Sequence, residues 1–365
     1  MSAPTQTKPR TIVPFGPQHP VLPEPIHLDL VLEDEKVVDA IPTIGFVHRG
    51  LEKLCEKHDF HKMTQVAERV CGICSFMHGM GYCQAIETVM GIEVPARALF
   101  LRTFWAELSR VHSHLLWLGL IADAFGFESL FMHSWRVREK ILDIIEETSG
   151  GRVIFGSCKI GGIRRDVADD ILRRIRRELD PIETEFRDIA SVFDQDPTAK
   201  RRLRGLGALS REDAHALGAV GPTARGSGID FDARKLGYAA YPQLEFEPVV
   251  ETAGDCQARC SVRIREIHQS FDLLRQAIDK MPAGAIEVPV KGNPNGEYMS
   301  RLEQPRGEVG YYVKGDGKKN LGRFRVRTPT FANIPALIHM LKGCEFADVP
   351  VIVLTIDPCI SCAER

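Results

Sequence analysis

Glu68-Arg69-Val70-Cys71-Gly72-Ile73-Cys74-Ser75-Phe76-Met77-His78 carries one C-x-x-C pair, and Asp357-Pro358-Cys359-Ile360-Ser361-Cys362-Ala363-Glu364-Arg365 carries a second. Most of the 365 residues lie between them. A lone C-x-x-C is a redox dithiol, half a zinc site or two buried thiols. Structural zinc joins pairs about 12–20 residues apart, within one small module. Pairs this distant can meet only if a whole globular body brings them together. That suits a buried reactive centre better than a staple, but spacing alone leaves a shared metal site and unrelated thiols both open.

Outward from the first pair, the pattern from about Asp59 to Met90 is helical with a break near Cys71-Gly72. Such a break starts a helix and sets thiolates near backbone amides, where negative charge is favoured. Upstream, residues 1–12 are polar and read as loose, and Pro14–Pro25 reads as a proline-rich ordered loop. Ile26–Leu32 and Lys36–Ile41 around Glu33-Asp34-Glu35 predict a β-hairpin. Downstream, Ala96–Ala124, Ser129–Thr148 and Asp255–Lys280 predict long helices. Ile163, Val167, Ile171, Ile175 and Leu179 predict an amphipathic helix with a solvated arginine face, and Pro181–Phe193 starts another. Glu308–Val313 and Gly322–Arg327 predict a hairpin, and Pro335–Leu341 a short helix. Val349–Ile356 reads as a continuous apolar strand delivering Asp357 and the second pair. The expected class is α+β: a mainly helical core bundle, an N-terminal β-hairpin or sheet and a small C-terminal β region. One domain spans 1–365, divided into 1–58, 59–290 and 291–365.

A formal charge of −2 gives no electrostatic case for nucleic acid. No run of about 18 apolar residues exists to span a membrane. Met1–Thr5 lacks an apolar signal core, so a cytoplasmic location is the default expectation. Ten cysteines in a long chain of this kind argue against a disulfide scaffold.

With their flanks, Arg69-x-Cys71-x-x-Cys74-x-x-x-His78 and Asp357-Pro358-Cys359-x-x-Cys362-x-x-Arg365, the two stretches resemble the large, catalytic subunit of [NiFe] hydrogenases. Gly16–Pro20, His48–Glu52, Ser113–Gly119 and Pro305–Glu308 extend the resemblance over nearly the whole chain, closest to the energy-converting (Ech-type) membrane-associated group. The same segments resemble the related 49-kDa-type subunit of complex I, which lacks the four cysteines.

The resemblance implies a nickel–iron centre with carbon monoxide and cyanide on the iron. Cys71 and Cys359 would be terminal nickel ligands, and Cys74 and Cys362 would bridge nickel and iron. His78 would lie against a bridging sulfur. Arg306 would lay its guanidinium over the metals, anchored by Asp357. Cys359 would accept the proton when hydrogen is split (H2 ⇌ 2H⁺ + 2e⁻), and Glu24 would relay it, with Asp123 or His19 next in line. Glu52 matches a magnesium ligand of many relatives, but Arg365 stands where they carry histidine. A Glu52–Arg365 or Glu52–Arg49 salt bridge is the alternative expectation. None of Cys55, Cys83, Cys158, Cys256, Cys260 and Cys344 forms another C-x-x-C, so no iron–sulfur cluster is expected in this chain. The implied partners are a small subunit with a proximal [4Fe–4S] cluster, ion-translocating membrane subunits and ferredoxin. The implied place is the cytoplasmic side of the cell membrane, held peripherally. Two readings compete: a non-catalytic quinone-site or coupling subunit like the complex I relative, and a plain structural-zinc protein.

Overall fold

The computed structural model describes residues 9–365. The reading of residues 1–12 as loose falls partly outside this range. From Arg10 onward it is corrected, because β1 (Arg10–Phe15) pairs antiparallel with β2 (His27–Glu33). β2 pairs in turn with β3 (Lys36–Thr43), so the predicted hairpin is the greater part of a three-stranded sheet. Leu28, Leu30 and Leu32 alternate inward along β2, which fixes the register against the core.

Short α1 (Leu51–Lys57) and α2 (Phe60–Glu68) lead to α3 (Ser75–Met90). The centre of the molecule is α4 (Ala96–Ala124), buried along nearly its whole length. A helix with no solvated face must be covered on all sides; α5 (Glu128–Ser149), α10 (Cys256–Asp279) and α3 supply that cover. Each fully buried Leu or Phe along it stabilises by roughly 1.5–3 kcal/mol. Among the described residues no helix is long and apolar enough to cross a membrane.

Two of the sequence boundaries fail in instructive ways. Ile163 lies in β5 (Gly162–Ile163), paired with β4 (Cys158–Lys159), not in a helix. The helix beyond it, α6 (Asp169–Gln195), continues unbroken through Pro181. Its buried stripe Leu172, Ile175, Leu179, Ile182, Phe186, Ile189 and Phe193 runs straight past the proline. That packing outweighs the lost hydrogen bond and clash, about 3 kcal/mol. Short helices α7 (Pro197–Leu203), α8 (Arg211–Ala216) and α9 (Pro222–Arg225) then lead into the loops before α10.

The C-terminal region opens with β6 (Asn295–Gln304), β7 (Gly307–Asp316) and β8 (Arg323–Arg327) in one antiparallel sheet. The sequence reading found β7 and β8 and missed β6. α11 (Pro329–Leu341) follows. The segment read as a strand is α12 (Val349–Thr355), and α13 (Ile360–Glu364) closes the described chain. Its β-branched run suggested a strand, but Pro350 sits in the first turn of the helix, where a missing N–H costs nothing. In a central strand that proline would remove a ladder bond.

Candidate metal centre

Each cysteine pair lies at the start of a helix, Cys71 and Cys74 ahead of α3 and Cys359 and Cys362 astride the first turn of α13, and the fold brings these two helix starts together. Cys74 is the residue before α3, and Cys359 the residue before α13. Cys74 Sγ lies 3.4 Å from Cys362 Sγ, and Cys359 Sγ 3.2 Å from Cys71 Sγ. The sulfurs of Cys71, Cys74 and Cys362 all fall within 4.8 Å of one another, and all four cysteines are buried.

Charge is distributed unevenly among them. Burial opposes ionisation of Cys74, yet hydrogen bonds from Cys359, Cys362 and Cys71 and the nearby His78 hold it well below the ordinary thiol range. Burial and the same neighbours push Cys362 well above that range. Ionising the whole cluster would bury several like charges together, which calls for a cation among them. Four buried soft donors fit a soft or borderline metal.

His78, one turn into α3, sets Nε2 3.2 Å from Cys362 Sγ. Its Nδ1 meets the hydroxyl of Tyr311 on β7. That contact depends on close approach of α3 to the sheet: a Cβ on Gly81 would lie 2.6 Å from the Tyr311 ring. Nothing in the sequence around Tyr311 marked it as a neighbour of the site.

Arg306 stands at the two-residue turn between β6 and β7, where a surface position would be expected, yet it is 2 % exposed. The turn folds inward because Gly307, at φ 129°, lies against the backbone of Gly221 with no room for a side chain on either. Arg306 Nη2 donates to Asp357 Oδ1 at 2.8 Å, and Nε to the Asp357 carbonyl at 2.9 Å. Its Nη1 reaches Ser113 Oγ on α4 at 3.3 Å. Burial works against the charge, but Asp357 and the cysteine thiolates outweigh it and hold the guanidinium protonated. Asp357 itself adopts a left-handed conformation, φ 56°. This is uncommon outside glycine, though Asp tolerates it better than most residues.

Glu24 accepts hydrogen bonds from the backbone N–H groups of Ile360 and Ser361 and from the Ser361 hydroxyl. The proline-rich loop thus places a carboxylate on the turn that carries Cys359. Of the other suggested relays, Asp123 is exposed on the last turn of α4. His19 Nδ1 accepts from Val21 N at 3.3 Å, with its ring 4.4 Å from Phe15.

Glu52 receives Arg365 Nε and Val326 N on one oxygen, both at 2.9 Å. Its other oxygen takes Arg325. Two guanidinium groups around one carboxylate do not fit a magnesium ion, whose partners must be oxygens. The salt-bridge alternative describes what is there. Arg49, the other partner considered, does something else: it donates to the carbonyls of Arg69 at 2.9 Å, Val70 at 2.8 Å and Ser361 at 3.1 Å. One guanidinium thereby ties both cysteine turns together.

Sequence reasoning also missed a buried ionic cluster beside α4 and α10. Glu266 bonds His114 at 2.8 Å and Arg225 at 2.7 Å, and Arg225 continues to Glu303 at 2.8 Å. Arg234 pairs with Asp232 at 2.7 Å. The remaining cysteines lie apart from the four: Cys55, Cys83, Cys158, Cys256 and Cys260 are core thiols, and Cys344 is half-buried.

Comparison with known proteins covers the whole chain. The family described as "Respiratory-chain NADH dehydrogenase, 49 Kd subunit" matches residues 124–292 and 289–365, and "Nickel-dependent hydrogenase" matches residues 49–121. The "Membrane-bound hydrogenase subunit alpha" of Pyrococcus furiosus is 39 % identical, over 97 % of this chain and 87 % of that one. The "Carbon monoxide-induced hydrogenase" of Rhodospirillum rubrum is 40 % identical, over 97 % and 99 %. A chain from the structure of the membrane-bound sulfane sulfur reductase, an archaeal respiratory membrane complex, superposes with a TM-score of 0.93 at 30 % identity, covering both chains completely.

Proposed function

The chain belongs to the family that joins [NiFe] hydrogenase large subunits of the energy-converting kind with the 49 kDa subunit of respiratory-chain NADH dehydrogenase, and from that premise we propose that it is the catalytic subunit of an energy-converting [NiFe] hydrogenase. The observation that carries the proposal is the convergence of four buried cysteine sulfurs from two distant turns. A relative without metal has no need of them.

In this reading Cys71, Cys74, Cys359 and Cys362 would together hold a nickel–iron centre with carbon monoxide and cyanide on its iron. The bound centre supplies the electron-accepting site at which H2 ⇌ 2H⁺ + 2e⁻ runs. The protein's own groups do the rest. Arg306, fixed at three points, brings permanent positive charge beside the thiolates and does not give up its proton, because guanidinium is a very weak acid. His78, aimed by Tyr311, donates toward the Cys362 sulfur and limits its basicity. Cys359 Sγ is the first proton acceptor. Glu24, hydrogen-bonded to the next two residues, is the carboxylate that takes the proton onward. Electrons leave through a partner small subunit with a [4Fe–4S] cluster toward ferredoxin. Membrane subunits anchor the assembly peripherally, as the membrane-bound relatives suggest, and the side we assign is the cytoplasmic one.

A second reading, a non-catalytic quinone-site or coupling subunit, draws on the 49 kDa family match. Metal analysis and infrared spectroscopy of the purified intact complex separate the two. Nickel together with carbon monoxide and cyanide bands is expected. A freshly prepared complex with neither overturns the catalytic reading.

A further inference from the structure

One buried charge near the centre has no role in the account above. Arg263, on α10, is fully buried, with its guanidinium 4.3 Å from the ring centroid of Trp117. Its Nη1 donates to the Arg259 carbonyl at 3.0 Å, but Nε and Nη2 have no hydrogen-bond partner. Among the described residues it makes no ion pair within 4.0 Å. The nearest acid on its own helix, Glu266, already serves His114 and Arg225. An isolated buried guanidinium is costly.

The complementary deficit lies on the segment packed against it. Asp357 Oδ1 is taken by Arg306, while Oδ2 is buried without a partner. One turn before Arg263, Arg259 Nε reaches Thr355 Oγ1 at 3.1 Å, and Trp117 Nε1 reaches the Leu354 carbonyl at 2.7 Å. These contacts hold the end of α12 against α10 and α4, beside Arg263, and bring Asp357 close enough to act on its charge. Of the charges acting on Arg263, Asp357 is the strongest attraction, and burial lowers the guanidinium to about 10 in spite of it. Two unmet donors and one unmet acceptor beyond ion-pair distance suit a single ordered water making a bond to each.

We infer that Arg263 is a positioning residue for the catalytic centre: through one bridging water it holds the free oxygen of Asp357, so that Asp357 presents its other oxygen to Arg306 and keeps that guanidinium aimed at the thiolates. Asp357 is then clamped between two arginines, one touching it directly and one at a water's remove. The inference rests on the proposed nickel–iron function for its spectroscopic readout and not for its geometry.

The test uses the intact complex carrying Arg263→Met. Nickel content is expected to match wild type, and the melting temperature to change little, since the desolvation cost of a buried guanidinium that reaches its acid only through a water disappears with it and Asp357 keeps its direct bond to Arg306. The cyanide bands are expected to shift, and kcat to fall about tenfold or more with little change in KM for H2. A residue serving only the fold would do the reverse, lowering the melting temperature and leaving the bands in place. Unchanged bands and unchanged kcat overturn the inference. If Arg263→Met fails to assemble, Arg263→Gln keeps a donor for the Arg259 carbonyl and gives the same readout. Absence of infrared bands from the wild-type complex indicts the nickel–iron reading instead. In that event high-resolution density decides: a water between Asp357 Oδ2 and Arg263 is expected, and a dry gap sinks the proposal.

Discussion

Cys71 and Cys74 stand between α2 and α3, two helices that pack by their own apolar faces. Cys359 precedes, and Cys362 lies within, a helix of five residues, which is too short to hold itself. The second turn is fixed by side chains sent from elsewhere. Glu24 bonds its N–H groups, Thr330 Oγ1 accepts from Cys359 N at 3.1 Å, and Arg49 takes the Ser361 carbonyl. The carboxylate of Glu364 receives the N–H groups of Gly45 and Val47. The two cysteine turns are thus held in different proportions, the first mainly by the burial of its flanking helices and the second mainly by a polar clamp, with Arg49 reaching both. The contrast teaches where a substitution should strike metal binding alone and where it should also loosen the scaffold.

The largest expected effect ignores the contrast. Replacing Cys71, Cys74, Cys359 or Cys362 with Ala should abolish nickel binding and hydrogen turnover together, measured by metal analysis and H2 oxidation. Serine should rescue poorly, because its oxygen is harder than a thiolate. Full nickel occupancy in Cys359→Ala would show that the two halves do not share one ion.

Next comes Glu24, which touches only the clamped half. Glu24→Gln keeps the volume and removes the titratable site. Normal nickel and infrared bands are expected, with solvent H/D exchange and H2 oxidation reduced by about 10²-fold or more. Normal turnover in this variant would break the assignment and move the relay to another group.

Glu68 probes the packed half. It ends α2, is 1 % exposed, and its carboxylate oxygens meet nothing better than a weak approach of the Gly156 N–H. Burial pushes it up from 4.5 to about 7, against the pull of Arg164 and Arg69. The folded chain therefore keeps this proton between pH 4.5 and 7 while the unfolded chain releases it. Stability from this group is complete below about pH 4.5 and is lost as pH rises to about 7, a change of about 3 kcal/mol. Glu68→Gln should remove that slope. Melting of the complex should then show the variant gaining on wild type at pH 8 and not at pH 4.5. A difference that does not vary with pH would count against it.

The smallest effect is expected where both halves meet at the surface. Arg365→Ala leaves Glu52 with Arg325 and should cost about 1 kcal/mol or less, since the pair is partly exposed. Added Mg²⁺ should not raise the melting temperature. A clear magnesium-dependent gain would mean the carboxylate can exchange its guanidinium partners for a cation.

The sequence made the packed half legible and left much of the clamped half dark. The sequence placed α4, α5 and α10 to within a residue or so, α4 by its long apolar run, because a helix covered on every side must be apolar nearly throughout. The cysteine turns announced themselves by spacing and flanks. Arg49 and Tyr311 did not, because each acts through a contact made only after distant segments meet. Arg225 and Glu266 were unreadable for the same reason: a charged residue on a helix face ordinarily means solvent, and only the folded core shows the partner that keeps it inside. The misread α12 is a different failure. Val351, Ile352 and Val353 have the composition of a strand, and Pro350 carried the contrary signal.

The sulfurs that meet in the core belong to residues 288 positions apart. At ribosomal rates of about 5–20 residues per second, the first pair emerges roughly 15–60 s before the second. During that interval Cys71 and Cys74 have no ligand partners. Nothing in the nascent chain yet provides Glu364, Arg365 or the turn that Glu24 caps. Time thus becomes a variable of this protein's chemistry: a metal ion arriving early finds half a site, and an oxidant arriving early finds two thiols free to pair with each other. Under the proposed nickel–iron function, a metal delivered after Cys359 and Cys362 have emerged would meet all four sulfurs at once.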